Sequence, residues 1–193
     1  MEGRSLPTFM FGIPLHPLVV HAVVVLVPAA VIGAVLVAVW PRLRPRWGWP
    51  VVVVTALGTL AIPIATSTGE GLEHNLPRTA AMETHTQLGD ELLIFVAPML
   101  IFVLGLVLLD HLRRRSADAV TATARHAGPG TMAAPRIRDG QARIGIAVLA
   151  VLTVVFAVVS AVQVVRIGDS GARAAWGEVT YAPQPRPAGR PAD

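Results

Sequence analysis

The sequence predicts an all-α protein, a four-helix transmembrane bundle with both termini extracytoplasmic. Three observations carry that expectation. The chain of 193 residues is 53% hydrophobic and only 15% charged, too apolar for a soluble domain of its length. Its apolar residues gather into four stretches, about Leu18 to Val39, Val51 to Thr66, Leu92 to Leu109 and Ile144 to Val165, each near the roughly 20 residues a helix needs to cross a bilayer. The basic residues near the spans are unevenly divided: ten arginines (42, 44, 46, 113, 114, 115, 125, 136, 138 and 143) fall on one side and four (4, 78, 166 and 173) on the other. The arginine-rich side is therefore cytoplasmic.

Taken in order, residues 1–14 form an extracytoplasmic segment, residues 15–177 the four-span domain, and residues 178–193 a proline-rich, disordered tail. Pro17 suits the first turn of the first helix, and Pro28 inside its apolar run argues against a cleaved signal peptide. Ala30, Ala34 and Ala38 make a small-residue stripe that reads as a helix-packing face. Trp40, Trp47 and Trp49 mark a membrane boundary before the second span. A further helix begins beyond Pro77 and leads into the third span, while Ser116 to Gly140 reads as a mobile cytoplasmic loop. After the fourth span, Gly168 and Gly171 suit a tight turn, with Asp169 capping a short helix that places Trp176 in the interface. No internal repeat is legible.

Several chemistries are excluded. There is no cysteine, hence no disulfide, thiolate-bound iron–sulfur cluster, covalently attached haem or Cys-based zinc site. All 16 basic residues are arginine, so a Schiff-base or P-loop lysine is absent. Gly69-Glu70-Gly71 lacks the Lys-Ser/Thr of a phosphate cradle. Ser67, Thr68 and Ser170 have no spacing that ties them to a histidine base, and a transporter lacks support in the absence of repeats. The expected partners are the lipid bilayer and a redox protein, with no nucleic acid.

Ionisable residues beside hydrocarbon are a functional-site signal, and here they cluster on the extracytoplasmic side. His16 stands near the start of the first span and His21 inside it; five residues apart, they point about 140° from one another. Glu70, Glu73 and His74 belong to the next external segment, and His85 lies seven residues before Leu92, on the same helical face. A face that packs inward at Leu92 aims His85 at the outer mouth of the bundle, where His21 can meet it. Three readings follow: His21 and His85 as axial ligands of a b-type haem; a Zn or Cu site from His21, His74 or His85 with Glu70 or Glu73; or a hydrogen-bonded cluster holding the loop to a non-catalytic scaffold. Arg166 and Arg173 stand ready to neutralise the glutamates or a haem propionate.

The Leu15-His16-Pro17-x-x-Val20-His21 start, the Gly69-Glu70-x-Leu72-Glu73 segment followed by a histidine, and the Gly168-x-Ser170-Gly171-Ala172-x-x-x-Trp176 ending resemble the Domain of Unknown Function 2231 membrane family, over about Ile13 to Gly177. That family is similar in layout to four-helix membrane b-type cytochromes, and some members are fused to Rieske domains, so the resemblance implies a redox setting. Its histidines correspond to His16, His21 and His85. Asp169 stands where many relatives carry histidine, and Ala22-Val23-Val24 replaces Phe-Pro-Ile, which implies one haem here and not two. The expectation is thus an electron-transfer module in a bacterial plasma membrane, binding haem b through His21 and His85, with His16, Glu70 and Glu73 around it.

Overall fold

The computed structural model describes residues 9–10, 12–73, 79–126 and 137–177; His74 and the proline-rich tail lie outside them. A short antiparallel pairing of β1 (Phe9–Met10) with β2 (Ile13–Pro14) turns at Gly12, whose φ of 78° suits a residue without Cβ. Four helices follow: α1 (Leu15–Val39), α2 (Arg44–Glu73), α3 (Ala80–His126) and α4 (Ile137–Trp176). All four are long and apolar enough to cross a membrane.

The helix ends differ from the sequence expectation in three places. α2 begins at Arg44, about two turns before the apolar run, because Pro45 fits a first helical turn. α3 begins after Thr79, whose hydroxyl accepts the Met82 N–H at 3.2 Å, and then continues to His126. The mobile loop expected from Ser116 is therefore helix up to His126: Ala117, Ala119, Ala122 and Ala124 are strong helix formers, and the Ser116 and Thr121 hydroxyls donate to carbonyls four residues back. α4 runs without a break through Gly168 and Gly171 to Trp176. The expected turn and short capped helix are absent there, and Asp169 pairs instead with Arg173 one turn on, at 3.0 Å.

Around the bundle the order is α1, α2, α3, α4, with α1 diagonally opposite α3. Val27, Val96, Met99 and Val103 are fully buried at the centre. The helices approach closely because the faces between them are small: Ala30, Ala34 and Ala38 on α1 are buried as the stripe implied, and Gly58, Ala61 and Ala65 are buried on α2. Large side chains such as Ile32, Leu60, Ile101 and Val151 face outward, as lipid permits.

One end of the bundle is closed by charge. Arg44, 6% exposed, donates from Nε to the Val37 carbonyl at 2.8 Å and from Nη2 to the Ala38 carbonyl at 2.9 Å. These are carbonyls of α1's last turn, which lack helical partners of their own. The same guanidinium lies 3.6 Å from Asp110 of α3, and Arg114 reaches that carboxylate at 2.7 Å. Three helices are thus tied at this arginine end.

Candidate functional site

The opposite end holds His16 and His85, and the two are seated in the same way. His16 of α1 donates from Nδ1 to the Ala65 carbonyl of α2 at 3.0 Å. His85 of α3 places Nδ1 3.2 Å from the Ile167 carbonyl of α4 and 3.2 Å from Ser170 Oγ. The carbonyl also receives a hydroxyl from three residues along: Thr68 lies 3.0 Å from the Ala65 oxygen and Ser170 2.9 Å from that of Ile167. Four residues along stands a glycine, and a Cβ on it would come within 3.0 Å of the His16 ring at Gly69 and 2.9 Å of the His85 ring at Gly171. A carbonyl, a hydroxyl and a missing side chain together make one seat, built twice.

The two seats belong to a wider repeat. The spacing from His16 to His85, 69 positions, also carries the six buried residues of α1 (Val23, Val27, Ala30, Ala34, Val37, Ala38) onto Leu92, Val96, Met99, Val103, Leu106 and Val107 of α3, every one buried. The spacing from Gly69 to Gly171, 102 positions, carries the buried Arg44, Thr55, Gly58 and Ala61 of α2 onto Ile146, Ala157, Ser160 and Gln163 of α4, also buried. The α1–α2 hairpin and the α3–α4 hairpin are two versions of one unit. No repeat was legible in the sequence because apolar residues interchange freely at these positions. The surviving signal is the pair of Thr/Ser-Gly dipeptides, Thr68-Gly69 and Ser170-Gly171.

The hydrogen bonds fix the chemistry of the neutral imidazoles. A carbonyl oxygen can only accept, so Nδ1 carries the proton in both rings and Nε2 keeps its lone pair. Among the described residues neither Nε2 has a hydrogen-bond partner. The rings come from diagonally opposite helices at the same end of the bundle. An Nδ1 anchored on a carbonyl with a free Nε2 is the arrangement of a metal-ligating histidine.

The other sequence candidates are distributed differently. His21 is exposed on the outer face of α1, with Nδ1 held 2.5 Å from its own helix at the Pro17 carbonyl; the histidine that shares His85's kind of seat is His16. Glu70 is exposed on α2. Glu73 lines a shallow groove with Thr79, Met82 and Glu83, apart from the imidazole seats. Arg166 and Arg173 line a groove between α3 and α4. Among the described residues no three His, Asp or Glu side chains gather in a metal-binding group. Sequence reasoning named Gly69 and Gly171 but not as seats for the rings, a role visible only once a ring lies against them; it passed over Gln163, which is 3% exposed and bridges α4 to Leu88 and Glu91 of α3.

Four membrane-length helices packed around a small-residue core define an integral membrane protein. Residues 12–182 match the family model described as Predicted membrane protein (DUF2231), and the chain belongs to that family. No curated protein and no solved structure matches it.

Proposed function

We propose that this protein is a b-type haem-binding electron-transfer module of the bacterial plasma membrane, with His16 and His85 as the two axial ligands at the extracytoplasmic end. The observation that carries the reading is the matched pair of seats: two imidazoles on diagonal helices, each with its Nδ1–H donating to a carbonyl and its Nε2 without a partner among the described residues. Two donors and no third suit haem, which brings four nitrogens of its own and takes two axial ligands. A structural zinc site needs four protein ligands, and no such group forms among the described residues. The imidazoles hold and orient the ligand, since the Nδ1 bonds fix the tautomer and raise the basicity of Nε2. Bound there, haem supplies one-electron chemistry. A separate redox protein serves as electron partner, and the arginine-rich end faces the cytoplasm.

The test is the absorption spectrum of protein purified after expression with haem precursor supplied. A Soret band with a low-spin, bis-histidine signature is expected. His16→Ala or His85→Ala should abolish that signature and His21→Ala should leave it intact. Absence of the band in the wild type, or its loss in His21→Ala alone, overturns the assignment.

A second reading draws on the same hydrogen bonds. Each histidine ties the two helices of its hairpin together, α1 to α2 and α3 to α4, which is what a non-catalytic membrane scaffold requires. Under that reading His16→Ala and His85→Ala lower stability equally in protein that never takes up haem.

A further inference from the structure

The two hairpins differ most where the first carries Ala22, Ala61 and Ile64. The repeat puts Glu91, Gln163 and Arg166 at those positions, and the three are joined in one chain of hydrogen bonds: Gln163 Nε2 donates to Glu91 Oε2 at 3.2 Å, and Arg166 Nη1 donates to Gln163 Oε1 at 3.3 Å. Replacing three apolar positions by two charges and an amide at the edge of hydrocarbon is costly without a function. Arg166 is the outermost member and lines a groove of about 420 Å³ with Ala81, Thr84 and Leu88 of α3 and Asp169, Ser170 and Arg173 of α4.

The charges in that groove are unequally satisfied. Arg173 is matched by Asp169 through two contacts, at 3.0 and 3.4 Å. Arg166 has only the neutral Gln163 oxygen among the described residues, and its guanidinium keeps donors free. Below it on the same stripe of α4, at the spacing of successive helical turns, stand Val162, Val159 and Val155, which are 54%, 38% and 48% exposed. The groove therefore has a cationic head, and beneath it α4 presents an exposed apolar stripe toward the bilayer.

We propose that the α3–α4 groove binds an anionic glycerophospholipid from the leaflet at the histidine end, its phosphate on Arg166 and one acyl chain along Val162, Val159 and Val155. An arginine fork suits a phosphate, and the apolar stripe favours a lipid-borne phosphate over a free one. The matching face of the first hairpin has Ile64 in place of Arg166 and Gly71 in place of Arg173, so one such site is expected per chain and not two.

The experiment uses the full-length protein in nanodiscs of phosphatidylcholine, with or without phosphatidylglycerol, followed by native mass spectrometry and thermal unfolding. Wild type should retain one phosphatidylglycerol through detergent exchange and unfold at a higher temperature when that lipid is present. Arg166→Ile, the residue of the first hairpin, should weaken retention about tenfold or more and remove the thermal shift, the expected scale for losing a charge-assisted hydrogen bond. Arg166→Lys keeps the charge and should retain much of the effect; Arg115→Gln, at the arginine end, should retain all of it. Equal retention by Arg166→Ile and wild type overturns the proposal, as does an equal thermal shift from glycerol phosphate, which has no acyl chain. Because lipid retention is read without haem, the outcome is independent of the haem assignment.

Discussion

The first hairpin and the second share one plan and put it to different ends. In α1 and α2 the inward positions are nearly all small or apolar, and the polar residues are the seat of His16, the guanidinium of Arg44 and Thr55, whose hydroxyl is spent on its own helix at the Val51 carbonyl. In α3 and α4 the same framework carries the seat of His85 and adds Glu91, Gln163 and Arg166, while Asp110 supplies the carboxylate that receives Arg44. What both halves keep is the histidine on its carbonyl, its hydroxyl and its glycine. What they do not share is where the charge lies. The paired imidazole seats are what the halves have in common, and the chain of Glu91, Gln163 and Arg166 is what sets the second apart.

The largest effect is expected where the halves are joined by charge. Asp110→Ala leaves the buried Arg44 guanidinium without its carboxylate and should lower stability by about 3–5 kcal/mol, measured by denaturant unfolding in micelles. The double variant Arg44→Met with Asp110→Leu should recover most of that loss, because an apolar pair leaves no orphaned charge. A small effect of Asp110→Ala would show that the hairpins are held by packing alone.

Next come the seats. Gly69→Ala and Gly171→Ala each set a methyl group against an imidazole and should each destabilise by about 1–3 kcal/mol, the usual scale of overpacking. Similar losses support the equivalence of the halves; a loss confined to Gly171→Ala would break it. Smaller again is Gln163→Ala, which restores the residue found at Ala61 but strands Glu91 and Arg166. It should cost about 1–2 kcal/mol as a single change, and the triple variant Glu91→Ala, Gln163→Ala, Arg166→Ile should return to wild-type stability or exceed it. Non-additivity in a thermal-unfolding cycle is the measure.

The smallest effect concerns Ser160, fully buried with no partner for its hydroxyl among the described residues, where the other hairpin has Gly58. Removing an unsatisfied buried hydroxyl by Ser160→Ala should raise stability by about 1 kcal/mol, seen as a higher unfolding midpoint. An equal loss instead would reveal a partner for that oxygen in the membrane.

Much of the architecture was legible in the residues. Four apolar runs mark four spans, because hydrocarbon demands about 20 consecutive apolar positions whatever their identity. The spacing from Leu92 to His85 assigned a mouth-facing direction to that histidine, and the structure has Leu92 buried and His85 hydrogen-bonded from α3 to the Ile167 carbonyl of α4. The alanine stripe on α1 was legible for the same geometric reason. The choice between His16 and His21 was not. Both lie in the first turns of an apolar helix, and a helix that is apolar on all sides carries no pattern to say which side meets its neighbours.

The sequence by itself therefore determined that the chain is a helical membrane protein, where its spans lie and that four of its six histidines fall at one end. Those features follow from composition and helical rise, which are local. Tertiary structure alone decided that His16 is the equivalent of His85, that Gly69 and Gly171 make room for the two rings, and that Arg44 and Asp110 close the far end. Each of these depends on which helix stands beside which, and in lipid that arrangement is set by close packing of small faces and by a few polar contacts, not by any division of the sequence into apolar and polar positions.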